Sequence, residues 1–159
     1  YLAIGGFLQS EIRSEDGSGY VIIWDMKNKQ QFGPDLGGFT SPVTDVEFNK
    51  TDQLLAASSR DATARFWDLE NIYDLPTILD DHNDWVLDLA FHPDGDGLMT
   101  ASYDGLIRYF PTKPDGYVQR ICPLLERNMS DVEWRQFVAD PNDIAWQETC
   151  EGLPKPLNQ

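Results

Sequence analysis

His82 and His92 are the chain's only imidazoles, and Cys122 and Cys150 its only thiols. With the carboxylates, they are the groups that could support metal or nucleophilic chemistry. A structural or catalytic zinc needs three or four nitrogen or sulfur ligands at set spacings. Neither "DDHND" around His82 nor "HPDGDG" from His92 supplies them. Asp94 and Asp96 stand two apart, yet no bidentate Glu follows at the distance a calcium loop requires. A Cys122 nucleophile would need an electropositive setting, whereas its neighbours are apolar. "IGGF" and "LGGF" lack the Lys and the spacing of a phosphate-cradling loop. The sequence therefore predicts no catalytic residue, no metal and no cofactor. The two histidine stretches read as a connecting loop and a hairpin turn.

Composition narrows the partners. Twelve basic against 27 acidic residues give a net charge of −15. Such a surface repels phosphate backbones, so no nucleic-acid partner is expected, and the acidity serves solubility or a basic protein partner. No apolar run approaches the roughly 18 residues that cross a bilayer, so no membrane role is expected. With 41% hydrophobic residues over 159 positions, the chain can build a core of ordinary domain size. Two cysteines make no disulfide framework. They could pair in an oxidising compartment, but the reading is two reduced, partly buried thiols in a cytoplasmic protein. The opening "YLAIGG" lacks a Met and lies inside an apolar run, as a cut through a larger protein would.

The elements that hold these residues repeat. Shifted by 43, Trp24 falls on Trp67 and Trp67 on Phe110. Arg65 falls on Arg108, Asp61 on Asp104, and "VTDVEF" (43–48) on "VLDLAF" (86–91). A period of 40 to 45 residues with strand-like contents is that of a propeller blade. "VTDVEF" alternates as a half-buried strand does. "LLAAS" is apolar enough to be covered on both faces, and "TARFWDL" is a third strand. The turns "NKTDQ" and "SRDA" separate them, and the next unit repeats the order with "HPDGDG" and "YDG". The first unit is partial: "YLAIGG" and "GYVIIWDM" match the second and third strands. The longer, acidic "FLQSEIRSEDGS" between them is expected to stand out from the body.

Repeats of this kind, with Trp24-Asp25 and Trp67-Asp68 closing the third strand, resemble the WD-repeat (WD40) β-propeller family. The resemblance covers about residues 1 to 112. In that family a His before the first strand, a hydroxyl of the second, an Asp of the turn and the Trp form a buried network. The resemblance places His82, Thr100 and Asp104 in that network in the third unit, with Phe110 in place of the Trp. It keeps Asp61 and Trp67 in the second unit, with Phe39 at the His position and Ala57 at the hydroxyl. Asp61 is then expected to bond turn amides. A buried carboxylate needs such donors.

After "YFPT" the pattern changes. Tyr117, Val118, Ile121, Leu124 and Leu125 have helical spacing, and Pro123 predicts an interrupted helix, with a fourth blade strand as the rival. Ser130 and Glu133 have capping-box spacing ahead of Trp134 and Phe137, and Pro141 ends that segment. Pro111, Thr112, Pro114, Cys122, Arg127, Asn128, Met129, Ser130, Glu133, Trp134, Thr149, Cys150, Leu153 and Pro154 resemble the helical cap that closes bacterial WD-repeat sensor proteins.

The expected fold is all-β: a partial WD40 propeller of about two and a half blades over 1–112, with a small helical cap and tail over 113–159. A ring needs at least four blades, so upstream blades or further copies are expected to complete it. The function implied is a protein-binding or sensor module, the C-terminal part of a larger bacterial multidomain signalling or defence-type protein, with no small-molecule substrate. A structural brace and a propeller-face hydrolase are the alternatives. Loop residues Arg60, Trp85 and Tyr103 are the candidate partner contacts, against the reading that Trp85 packs on a neighbouring blade.

Overall fold

The structure is a computed structural model; it describes residues 1–8, 18–51, 53–130, 132–134 and 150–154. The chain divides into two compact units, Tyr1–Thr112 and Lys113–Gln159.

Among the described residues, the first unit holds ten strands in three antiparallel sheets. Strands β1 (Leu2–Leu8), β2 (Ser18–Asp25) and β3 (Gln30–Phe39) make the first. The second holds β4 (Val43–Phe48), β5 (Leu54–Ser59), β6 (Ala64–Asp68) and β7 (Thr77–Leu79). Strands β8 (Val86–Phe91), β9 (Gly97–Ser102) and β10 (Ile107–Pro111) make the third. "VTDVEF" and "VLDLAF" thus lie in separate sheets, as successive blades require. The registers repeat as well. Leu2 pairs with Trp24, Leu55 with Trp67 and Leu98 with Phe110. This is the architecture of a partial propeller.

The period is spatial because each sheet buries its faces against the next. Val21, Ile23, Leu36 and Phe39 of the first sheet meet Leu55, Ala57 and Trp67 of the second. Ala56, Ala64, Phe66 and Leu79, on the opposite face of the second sheet, meet Val86, Leu89, Leu98 and Phe110 of the third. The alternation in Ala56-Ala57 serves two cores, which explains why "LLAAS" reads as apolar throughout. Side chains also join the inner strands. Thr44 Oγ1 donates to the Val86 carbonyl at 2.5 Å, while Asp45 and Glu47 accept the Leu89 and Phe91 amides at 3.2 and 3.0 Å. Two edge amides of β8 are thus satisfied without merging two sheets into one.

Two strands escape the sequence reading. β3 carries Gly33, Pro34, Gly37 and Gly38, and β7 is three residues long. Both are the outermost strand of their sheet, where proline and irregular pairing are tolerated.

In the second unit α1 (Pro114–Ile121) stops before Pro123 and passes into a 3-10 turn, Cys122–Leu124. The helix is interrupted as its proline demands, and the fourth-strand reading falls. Ser130 and Glu133 form a reciprocal cap: the Ser130 amide donates to Glu133 Oε2 at 2.8 Å, and the Glu133 amide to Ser130 Oγ at 3.2 Å. Trp134 is buried. The rest of that helix, the turn expected around 143–149 and positions 9–17 of the acidic loop lie outside the described residues; the ends of that loop, Phe7, Leu8 and Ser18, belong to β1 and β2.

The thiol expectation is corrected. Cys122 and Cys150 form a disulfide, with S–S 2.01 Å and Cα atoms 5.5 Å apart. Folding brings them together through buried Asn128. Its side chain donates to the Cys150 and Leu153 carbonyls at 3.0 and 2.7 Å and accepts the Cys150 amide at 2.8 Å. Its own amide donates to the Pro154 carbonyl at 3.0 Å. A separation of 28 residues in sequence carries no sign of that proximity.

Candidate functional site

The repeat builds one loop twice. Ser59 ends β5, and its hydroxyl donates to the Ser41 and Pro42 carbonyls. Ser102 ends β9, and its hydroxyl donates to the Asp84 carbonyl. The next residue then turns back the same way in both. The Arg60 amide donates to the Pro42 carbonyl at 3.1 Å, and the Tyr103 amide to the Trp85 carbonyl at 2.8 Å. Arg60 and Tyr103 thus occupy equivalent posts on adjoining sheets, with Trp85 at the mouth of β8. Register irregularities at Val43/Asp45 and Val86/Asp88 sit beside both loops, where bulges redirect side chains.

The three predicted contact residues converge. The Arg60 guanidinium lies over the Trp85 ring, 4.9 Å from its centroid. Trp85 and Tyr103 are ring neighbours at 6.0 Å, tilted by 46°. Trp85 is 44% exposed and Tyr103 68%. Trp85 therefore does touch the adjoining sheet, through Arg60, yet keeps much of its surface open. Guanidinium stacking orders a long side chain that would otherwise lose rotamer freedom on binding.

The buried polar residues divide differently from the expected network. His82 Nε2 and Thr100 Oγ1 are 2.7 Å apart, and the His82 ring lies against Phe110 at 5.7 Å. Asp104 does not extend that line. Its carboxylate pairs with Arg108 at 2.8 and 3.1 Å and accepts the Asn83 and Leu106 amides. These bonds hold it well below the usual carboxylate range, the Arg108 bond foremost. Burial, with Arg108 nearby, lowers the His82 pKa, which favours the neutral imidazole. In the second sheet Asp61 accepts the Thr40 amide and both the amide and hydroxyl of Thr63. Trp67 is buried and meets Phe39 edge-on. Asp61 and Asp104 thereby fix the turns beside Arg60 and Tyr103.

Several supporting residues are repeat markers in the sequence with no contact assigned to them. Arg65 donates to the Gly37 and Gly38 carbonyls and stacks on Phe39 at 4.6 Å. Gly38, at φ +93, leaves the space its guanidinium fills. The Arg65/Arg108 recurrence was the available signal, but their acceptors differ. Burial raises the pKa of Asp45, with Asp88 adding repulsion, while the Leu89 amide opposes the shift. Asp25 and Asp68, after the tryptophans, accept the amides of the turns that follow.

Among the described residues, no group of three or more His, Cys, Asp or Glu side chains could hold a metal, and no helix is long and apolar enough to cross a membrane.

Residues 31–68 and 74–110 each match the family model for the WD domain, G-beta repeat (WD40). The chain is 34% identical over 103 residues to the yeast (Saccharomyces cerevisiae) U3 small nucleolar RNA-associated protein 15, covering 64% of this chain and 20% of that protein. It is 36% identical over 90 residues to the Schizosaccharomyces pombe periodic tryptophan protein 2 homolog, covering 57% and 10%. It is 26% identical over 129 residues to the maize guanine nucleotide-binding protein subunit beta, covering 78% and 34%. The aligned stretches thus span between a tenth and about a third of these relatives.

Proposed function

Because the chain is a WD40-repeat protein, with such repeats at 31–68 and 74–110, we propose that it is a protein-binding module whose contact surface is the Arg60–Trp85–Tyr103 cluster. The convergence of these three side chains from two sheets carries the reading. Trp, Tyr and Arg are the residue types that dominate binding energy at protein interfaces. Here they sit exposed on loops anchored by paired Ser–carbonyl bonds. Sheet-anchored loops are preorganised, so little ordering entropy is lost on association.

The wider placement, as the C-terminal part of a larger sensor or scaffold protein, belongs to the same proposal. Bacterial origin draws no support from the three relatives above, which are eukaryotic. One is named for association with the U3 small nucleolar RNA. A role of that kind would run through protein contacts here, since a chain of charge −15 repels phosphate. The cytoplasm is the proposed compartment. Because the structure joins Cys122 to Cys150, a bond that a reducing compartment opposes, the cytoplasmic reading holds only if protein alkylated at harvest carries both as free thiols.

The test is capture by the immobilised chain and its variants. Trp85→Ala and Tyr103→Ala are expected to lose the partners that wild type retains. Tyr73→Ala, at an 83% exposed aromatic outside the cluster, is expected to keep them. The same captured set across all four proteins would count against the proposal.

A further inference from the structure

We infer that the Arg60–Trp85–Tyr103 cluster reads a carboxylate, an Asp or Glu side chain of the partner; this rests on the protein-binding reading above. Net charge alone points the other way, since a chain of −15 attracts basic partners. The local geometry reverses the sign. The flat ring a partner Lys or Arg would seek is that of Trp85, and the Arg60 guanidinium already lies over it, 4.9 Å from the centroid. A second cation on that surface would meet like charge.

The guanidinium has donors to spend. Arg65 is committed to two backbone carbonyls, Arg108 to Asp104, and Arg127 to Glu133. Arg60 has no side-chain acceptor among the described residues, in a chain with 27 acidic side chains. The neighbouring carboxylates are held elsewhere. Asp61 is turned onto the Thr40 amide and onto Thr63, and Asp84 accepts the Trp85 amide. The guanidinium carbon lies over the ring, and among the described residues no hydrogen bond takes its N–H fork. That fork matches a carboxylate bidentately, which an ammonium cannot do. Tyr103, 68% exposed and beside Trp85, offers a hydroxyl donor on the same patch.

The test pans a displayed library of random peptides against the whole chain and measures the selected peptides by titration. The expected result is enrichment of a shared Asp or Glu. Affinity then falls by roughly tenfold or more in Arg60→Ala, less in Arg60→Lys, with unchanged unfolding midpoints. Arg60→Gln, which keeps a planar donor without charge, serves if Arg60→Ala lowers the midpoint. Association is expected to quicken as salt rises from low ionic strength, because screening relieves the repulsion between an acidic peptide and this chain. Selected peptides that share no carboxylate, yet lose binding in Trp85→Ala, overturn the inference and leave the binding surface standing. Peptides bound equally by wild type, Arg60→Ala and Trp85→Ala, or no enrichment, overturn both.

Discussion

Phe39 meets Trp67 edge-on, with ring centroids 6.2 Å apart and planes at 67°. One repeat later the equivalent posts hold His82 and Phe110, 5.7 Å apart. The two units place one ring–ring contact at the same position and change which ring is polar. The polar version needs a hydroxyl, and Thr100 supplies it where the second sheet has Ala57. Phe39→His alone therefore buries an imidazole without a partner, and a loss of about 1–3 kcal/mol is expected. Adding Ala57→Thr should recover part of that loss. Urea unfolding of the two single variants and the double would show the coupling, and strict additivity would refute it.

The two Trp-Asp tryptophans differ in cover. Trp67 is 4% exposed, in the core between the first and second sheets, whereas Trp24 is 39% exposed. Trp67→Ala is expected to cost about 3–5 kcal/mol, as large core truncations do. Trp24→Ala should cost much less. Chemical denaturation of the isolated chain compares them directly.

Ala62 lies at φ +66, and its equivalent one repeat on is Gly105 at φ +83. A left-handed backbone costs an L-residue on the order of 1 kcal/mol. Ala62→Gly is expected to stabilise the chain by up to about that amount, less the entropy glycine adds to the unfolded state. Gly105→Ala should destabilise it. Thermal melts of the pair check the sign.

His82 should make stability fall on acidification. Burial holds its folded pKa below the ordinary value, so the unfolded chain binds the proton more readily. Its contribution is complete above the unfolded pKa, near 6.5, and is lost as pH falls through the depressed folded value. Unfolding free energies at pH 7.5, 6 and 5 are expected to decline, and the decline between 7.5 and 6 should flatten in His82→Gln.

The Cys122–Cys150 bond closes a 28-residue separation. Constraining the unfolded chain over that span is worth on the order of 3–4 kcal/mol in the loop-entropy account. Cys122→Ser/Cys150→Ser is expected to speed proteolysis within 113–154 while leaving 1–112 as resistant as before. Equal rates with and without the bond would show that Asn128 holds the segment unaided.

Much of the first unit was legible because its signal is periodic. Five coincidences at one offset require equivalent environments, and Leu2–Trp24, Leu55–Trp67 and Leu98–Phe110 realise them. The outer strands β3 and β7 were not legible, since an edge position imposes little pattern on side chains. In the polar network the residue types were readable but not their pairing. Asp104 has an imidazole, a guanidinium and two amides within its neighbourhood, and only geometry selects Arg108 over His82.

The amino-acid order alone determined the blade period, the strand alternation, the interruption at Pro123 and the cap at Ser130. Each depends on neighbours within a few residues, or on one spacing repeated. Folding alone decided that Cys122 reaches Cys150, that Asp104 belongs to Arg108, and that Arg60 lies on Trp85. Those contacts join residues four to 28 positions apart across turns and sheets, where small differences in backbone direction choose among several chemically acceptable partners.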